Sequence, residues 1–405
     1  PGLSAEYFSN AQLEGTPVVR RVDPAIDFKT GNESPLPAIA QDSAFSIRWR
    51  GAIQPSETGD FIFAGTGSGG WRILLDGKVV TDKWTLHNHG SSEDVVPLKK
   101  NQVYQLAVEY SHPEGSAEMH FGWGRPQFSP AEQAQIKSAD AVIYAGGLNP
   151  ETEHESMDRD WALHPWQDEQ IAQVAALNPH VVLSINAGGN LGIESLDHVP
   201  ALLWSWYPGQ NGNLALAKII FGDINPSGHL PDSFEKRFED SPAFGNFPGD
   251  VSGGGTVRLD EGIYVGYRWF DKKAISPAFP FGFGLSYSTF ELAKMQVALN
   301  GQGDGRSVTV SAQITNTSSC DGAAVVQLYV RPVNSAIDRP VQELKGFARV
   351  MLKAGESQTV TLQLDRQSFA TYDERTFSWI VPAGEYQLAL GTSSRDIAQT
   401  SAITW

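Results

Sequence analysis

The sequence predicts three domains in series. They are an all-β sandwich, an α/β sandwich with a mainly parallel but incomplete sheet, and a second β-sandwich of immunoglobulin type. Three observations predict this. Apolar and polar residues alternate through residues 1–127; short apolar runs alternate with helical segments within 128–290; strand-like alternation returns over 291–405. A chain of 405 residues also exceeds what one hydrophobic core normally organises.

In the first domain, Phe45-Ser-Ile-Arg-Trp49 alternates as a half-buried strand does. Thr58-Gly59-Asp60 reads as a turn before Phe61-Ile-Phe63. Trp71–Leu75 and Lys78–Val80 flank Asp76-Gly77, a pair that suits the two positive-φ positions of a tight hairpin. Val103–Tyr110 alternates again.

The period changes near residue 129. Ser129-Pro-Ala-Glu132 combines a capping serine, a proline at the first helical position and a glutamate three residues on, which together predict a helix start. Ala141–Ala145 is a strand-length apolar run that ends in Gly146-Gly147, and a helix is expected from Trp166 to Leu177, stopped by Asn178-Pro179. Val181–Ile185 reads as a strand buried on both faces, and Ala201–Trp204 reads similarly. Asn213–Phe221 reads as helix. Residues 232–290 are rich in Gly, Pro and Phe without clear periodicity and predict a long ordered wrap, with Ser252–Gly255 mobile.

In the third domain, Ser307–Thr315, Ala324–Val330, Thr359–Leu364 and Tyr386–Leu390 read as strands, with a turn at Pro382–Glu385.

Composition excludes several function classes. The net charge is −16 with no basic run, which argues against nucleic-acid binding. No apolar stretch approaches the roughly 20 residues of a membrane helix. The single cysteine, Cys320, forbids an internal disulfide and leaves the compartment open. The opening residues, Pro1-Gly-Leu-Ser-Ala-Glu-Tyr7, have neither the basic nor the apolar region of a signal peptide. A secreted or periplasmic location is expected, with a cytoplasmic one left open. No cofactor is expected, and a homo-oligomer is left open. The 11 Trp, 11 Tyr and 20 Phe are a generous supply for stacking on sugar rings, although core packing accounts for most of them.

Six segments occur in a fixed order. They are Gly147-Leu148, Glu155-Ser-Met-Asp158-Arg159, Trp206-Tyr-Pro-Gly-Gln210, Phe221–Gly228, Tyr264-Val-Gly-Tyr-Arg268 and Phe279–Tyr287. Together they resemble glycoside hydrolase family 3, of the β-glucosidase type. The resemblance implies an α/β sandwich domain at 128–290 and a fibronectin type III-like domain at 291–405. Gly2-Leu-Ser-Ala-Glu-Tyr-Phe8 and Ile73-Leu-Leu-Asp-Gly77 resemble the protective-antigen-type sandwich that some members insert into the α/β domain, here residues 1–127. Calcium-binding lectins of that type use an adjacent Asp pair. This chain has Ser68-Gly-Gly-Trp71 there, and calcium wants six to eight oxygens, so no metal site is expected.

Family members begin with a barrel that carries the nucleophilic Asp, and nothing here has its length or repeat. The resemblance therefore implies that this polypeptide is one piece of a cleaved, split or truncated enzyme. Its partners would be the missing N-terminal barrel segment and a β-glucoside or oligosaccharide substrate. The early strands of the α/β sheet are expected to be missing too, which leaves an exposed edge and an apolar face.

Retaining glycosidases need two carboxyl groups about 5–5.5 Å apart, one to attack and one to protonate the leaving oxygen. Glu151-Thr-Glu-His-Glu155 is an acidic loop after a strand end, where open α/β sheets place their sites. Read without the family, a solvated acidic loop is the favoured reading. The resemblance assigns the acid/base role to the carboxylate before x-x-Asp-Arg, which is Glu155, with Glu153 as the runner-up. The family commonly has Gly where this chain has Ser156, so the local turn is expected to differ. Clustered, buried carboxylates raise one another's pKa, so a protonated Glu is expected here once the loop is covered. Asp158-Arg159 is expected to hold the loop by charge-assisted bonds.

Trp84, His87 and His89 lie in a polar loop of the first domain and are candidates for stacking on the aglycone sugar; surface decoration is the plainer reading. Trp204 and Trp206 suit packing. Gly282 and Gly284 suit backbone geometry. Asn316-Thr-Ser318 matches a glycosylation acceptor. The competing function is a non-catalytic carbohydrate-binding or adhesion protein built from the same modules, which would have no need of the acidic loop. A family 3 enzyme for another sugar, such as a xylosidase, glucanase or N-acetylglucosaminidase, keeps the fold and changes only the substrate.

Overall fold

The computed structural model describes residues 2–31, 43–85, 89–114, 117–149, 152–155, 159–246 and 256–405. Ser252–Gly255, expected to be mobile, lie outside the described residues. The chain divides into two compact units, Pro1–Tyr207 and Pro208–Trp405. The stretch expected to form the α/β domain, 128–290, is shared between them.

The first unit opens with β1 (Leu3–Phe8), β2 (Val19–Asp23), β3 (Asp27–Gly31), β4 (Phe45–Ile53), β5 (Gly59–Ser68), β6 (Gly70–Leu75), β7 (Lys78–Asp82), β8 (His89–Leu98), β9 (Tyr104–His112) and β10 (Ala117–Gly124). They form two antiparallel sheets, ordered β2-β1-β4-β9-β6-β7 and β3-β10-β5-β8. Period-two alternation turns Phe45, Ile47 and Trp49 of β4 and Trp71 and Ile73 of β6 into one core with Phe63, Val108 and Tyr110. The β6–β7 hairpin turns at Asp76 and Gly77 with φ of 50° and 77°, as the Asp-Gly pair predicts. Two carboxylates, Asp23 and Glu109, are buried among the described residues of this sandwich. Asp23 accepts from the Tyr7 hydroxyl and from Trp49 Nε1, each at 2.7 Å, with Arg21 Nε at 2.5 Å.

The same unit continues with α1 (Pro130–Ser138), β11 (Val142–Gly147), α2 (Pro165–Leu177), β12 (Val181–Asn186) and β13 (Ala201–Trp204). The predicted capping box closes α1: Glu132 accepts from the Ser129 backbone at 2.8 Å, and Ser129 Oγ accepts from Glu132 N. The three strands are parallel, in the order β11-β12-β13. Only the central strand is covered as a parallel strand should be: Val181, Leu183 and Ile185 are buried. No residue of β11 is fully buried, Ile143 on it is 49% exposed, and α1 buries nothing.

The second unit contains α3 (Gly212–Ile220) and α4 (Tyr267–Lys272), followed by a β-sandwich. Its strands are β14 (Phe290–Asn300), β15 (Ser307–Asn316), β16 (Gly322–Pro332), β17 (Glu343–Leu352), β18 (Ser357–Leu364), β19 (Thr371–Asp373), β20 (Ser378–Ile380), β21 (Glu385–Gly391) and β22 (Ile397–Thr404). Antiparallel sheets β14-β15-β18 and β17-β16-β21-β22 enclose Val310, Ile314, Val326, Leu328, Leu364, Phe369 and Leu388, and β19 pairs with β20 alone.

Helix α4 lies inside the stretch 232–290; six residues are too few to show a period, and Tyr267 and Phe270, three apart, are its buried face. The Asn316 acceptor match has no accessible side chain. Asn316 is fully buried, and its Nδ2 donates to the carbonyls of Cys320 (2.8 Å) and Leu352 (3.2 Å). Gly282 does serve backbone geometry. Its φ is +79°, and a Cβ there would lie 2.1 Å from Gln327 Oε1.

Candidate active site

The acidic loop leaves the C-terminal end of β11, and its first turn is fixed from both sides. Gln167 of α2 is buried; its Oε1 accepts from Gly147 N and its Nε2 donates to Gly147 O, both at 2.9 Å. Gly147 has φ of +122°, and a Cβ there would sit 2.1 Å from Asn186 O, so only glycine lets β11 turn this close to β12. Leu148 N then donates to Asn186 O at 2.8 Å. Asn149 caps the following turn, its carbonyl accepting from Thr152 N (3.0 Å) and Glu153 N (2.9 Å).

This turn aims Glu153 at the loops that follow the other two strands. Its Oε2 accepts from Gly188 N, after β12, at 2.7 Å, and also from the Tyr207 hydroxyl, after β13. Its Oε1 accepts from Arg159 Nε at 2.6 Å. Arg159 in turn donates to the carbonyls of Asn190 (2.8 Å) and Asp160 (3.0 Å). The carboxylate thus ties together the C-terminal ends of all three parallel strands, the place where open α/β sheets carry their sites.

The electrostatics follow from those donors. Partial burial pushes the Glu153 carboxyl up, but hydrogen bonds from Tyr207, Gly188 and Arg159, with the Arg159 charge, outweigh it and hold its pKa below the ordinary carboxylate value. The expected mutual raising of carboxyls therefore does not hold at Glu153, because cationic and neutral donors surround it. The Tyr207 hydroxyl is pushed up to about 12, by burial first and then by the carboxylate it donates to.

Glu155 lies two residues further along the same loop, exposed, with no hydrogen-bond or ion-pair partner among the described residues. Asp158 lies outside the described residues; its neighbour Arg159 makes the loop-holding bonds expected of the pair. Tyr207 lies in the Trp206–Gln210 segment, which gives it no role of its own, and Gly188 carries no signal beyond following a strand end. Their partner Glu153 is 54 and 35 positions away in the chain, so only the parallel register brings them together.

The residues proposed for sugar stacking are spread apart in character. His87 lies outside the described residues. Trp84 is half-buried, with the Arg72 guanidinium 4.3 Å from its ring centre, so one ring face is already covered. His89 is exposed at the start of β8, with Nε2 3.7 Å from Glu118. Trp204 packs on the core around Leu183 and Ile185 and meets Trp206 edge-on, with ring centres 6.5 Å apart. The β8 strand is joined to the start of α2 by the bond from Trp166 Nε1 to Glu93, at 2.6 Å.

Residues 32–287 match the glycosyl hydrolase family 3 C-terminal domain, and residues 324–394 match the fibronectin type III-like domain. A β-glucosidase from Rhizobium radiobacter is 35% identical over 99% of this chain, which covers 51% of that protein. An exo-α-(1→6)-L-arabinopyranosidase from Bifidobacterium breve is 42% identical over 66% of the chain, which covers 35% of it. Among solved structures, the β-glucosidase of Kluyveromyces marxianus in complex with glucose superposes over 100% of this chain and 50% of its own, with a TM-score of 0.68 and 30% identity. The chain spans about half the length of these relatives, or less. It belongs to glycosyl hydrolase family 3, whose C-terminal domain it carries together with a fibronectin type III-like domain.

Proposed function

We propose that this chain supplies the general acid/base of a retaining β-glucosidase that removes terminal non-reducing β-D-glucosyl residues, and that a barrel segment outside this sequence supplies the Asp nucleophile. Residues 1–127 form its protective-antigen-like, carbohydrate-binding sandwich, 128–290 its α/β domain and 291–405 its fibronectin type III-like domain. The observation that carries this reading is the contrast between two carboxylates on one loop. Glu153 has both oxygens engaged and is held ionised, so it cannot donate a proton. Glu155, two residues on, is exposed and has no partner among the described residues.

In this reading Glu153 is a positioning residue: it anchors the loop so that Glu155 projects from it. Closed over by the barrel, the Glu155 carboxyl is placed against the glycosidic oxygen. It protonates the glycosidic oxygen while the Asp attacks the anomeric carbon, and the carbon–oxygen bond to the leaving group breaks. As a carboxylate it then takes a proton from the water that opens the glycosyl–enzyme ester, which returns it to the acid form. Trp84, His87 and His89 contact the aglycone sugar.

The test is Glu155→Gln in the enzyme assembled with its barrel segment. The rate on an unactivated alkyl β-glucoside is expected to fall about 10²–10⁴-fold. Bond cleavage in a dinitrophenyl β-glucoside, whose leaving group needs no proton, should be nearly retained. Equal loss on both substrates, or none on either, would exclude Glu155 as the acid. The likeness to an arabinopyranosidase favours a second reading, a family 3 enzyme for another sugar. The ratio of kcat/KM for aryl β-glucoside and α-L-arabinopyranoside separates the two.

A further inference from the structure

In the second unit, strand ends of the β-sandwich meet the C-terminal turn of α4 around a cleft of about 350 Å³, a volume within the range of small-molecule sites. β16 and β21 pair with Arg331 opposite Gln387, so both side chains leave the same face of the sheet. Arg331 Nη1 donates to Gln387 Oε1 at 3.1 Å, and Arg331 Nε donates to Gln342 Oε1 at 3.0 Å. Gln342 is fixed in turn: its Nε2 donates to Asp271 Oδ2 of α4 and to the Ser394 carbonyl, both at 2.9 Å. Arg395, in the turn between β21 and β22, places Nη2 2.9 Å from Asp271 Oδ1 and donates to Ile275 O at 3.2 Å.

The cleft is short of acceptors. Two guanidiniums line it against one carboxylate, and both oxygens of that carboxylate are already engaged. Arg331 Nη2 has no acceptor among the described residues, and neither has Arg395 Nη1. Ser394 lines the same cleft and is only 3% exposed, yet its hydroxyl has no partner among the described residues. Buried polar groups are costly unless something bonds them. Burial presses the Arg331 pKa below the ordinary guanidinium value, and the Asp271 charge does not restore it. The surplus positive charge also runs against a chain of net charge −16. The remaining lining, Ala274, Val341 and Ile397, is apolar. Every lining residue belongs to the second unit, so the cleft is complete within it.

We propose that this cleft binds a sugar acid, a carboxylate carried on a ring the size of one hexose. The carboxylate accepts from Arg331 Nη2 and Arg395 Nη1, the Ser394 hydroxyl bonds a ligand oxygen, and the C–H face of the ring rests on Val341 and Ile397. A guanidinium fork matches a planar carboxylate better than it matches a compact ion. A neutral sugar leaves the surplus charge unmatched, and acetate leaves the apolar lining bare. The site shares no residue with the loop of Glu153 and Glu155.

The test is titration of this chain with sodium D-glucuronate at low ionic strength, followed by NMR, with D-glucose, acetate and inorganic phosphate as comparisons. A dissociation constant on the order of 1 mM is expected for a ligand of this size. Glucose, acetate and phosphate should each bind at least tenfold more weakly. Ser394→Ala removes a hydroxyl that bonds no described residue, and should weaken glucuronate three- to tenfold with unchanged melting. Arg331→Lys keeps the charge but loses the fork, and should weaken it at least tenfold.

Glucuronate binding that both variants leave unchanged would put the site elsewhere and overturn the proposal. Phosphate bound as tightly as glucuronate would mean that charge alone is recognised, and glucose bound as tightly would mean a neutral-sugar site; either result sinks the sugar-acid assignment. No detectable binding of glucuronate would sink it outright.

Discussion

Glu153 and Arg159 are joined by a 2.6 Å bond across six positions of one loop, and that bond is what fixes the loop to the ends of the parallel strands. Both side chains are mostly buried, at 17% and 19% exposed, so the pair is worth more than a surface ion pair. Arg159→Ala leaves the Glu153 charge with two donors instead of three and should destabilise the first unit by about 1.5–3 kcal/mol. Urea unfolding followed by tryptophan fluorescence reads this directly.

The same pair predicts a pH dependence. Glu153 has a folded-state pKa below its ordinary value of 4.5, so its stabilisation is fully present above that value. It is lost as pH falls through the depressed folded value. Glu153→Gln should therefore lower stability at pH 7 and flatten the acid limb of the stability curve. A variant whose loss from pH 5 downward matches the parent would show that the carboxylate is not held ionised.

Gln167 makes two side-chain bonds to Gly147, one to its amide and one to its carbonyl. Gln167→Ala should cost about 1–3 kcal/mol, since it strands a backbone N–H and C=O at a strand end. In the assembled enzyme it should lower kcat on activated and unactivated glucosides alike, because it displaces the loop and removes no proton donor. A loss confined to unactivated substrates would assign Gln167 a different role.

In the second unit, Gly282→Ala and Gly355→Ala separate strain from collision. Both glycines have positive φ, at +79° and +73°. A Cβ at Gly282 meets Gln327 Oε1 at 2.1 Å, whereas nothing lies within 4 Å of one at Gly355. Gly355→Ala should cost about 1–2 kcal/mol for backbone conformation alone. Gly282→Ala should cost more, because it also displaces a buried glutamine that bonds the Gly282 and Thr392 carbonyls at 3.0 and 2.6 Å. Thermal melts of the two variants give the comparison.

Local signals carried most of the fold. The capping box at Ser129, the Asp76-Gly77 turn and the alternation of Ser307–Asn316 each lie within a few residues, and each element formed where its signal stood. Helix α4 was not legible because six residues between Gly266 and Lys273 cannot display a period. Site chemistry was legible only as a loop of carboxylates after a strand. The proposed division of labour between Glu153 and Glu155 depends on Gly188 and Tyr207, which the strands deliver from far along the chain, and no local pattern encodes that meeting. The apolar run of α3 read correctly as helix.

In the proposed mechanism, Glu155 is one of the two catalytic carboxyl groups that double displacement requires. The decisive measurement is glucose release from cellobiose by this purified chain, alone and with a family 3 barrel segment. Double displacement needs an attacking carboxylate opposite the proton donor, so the chain alone should release none and the reconstituted pair should turn over. Hydrolysis by the isolated chain at a rate unaffected by the added barrel would contradict the account.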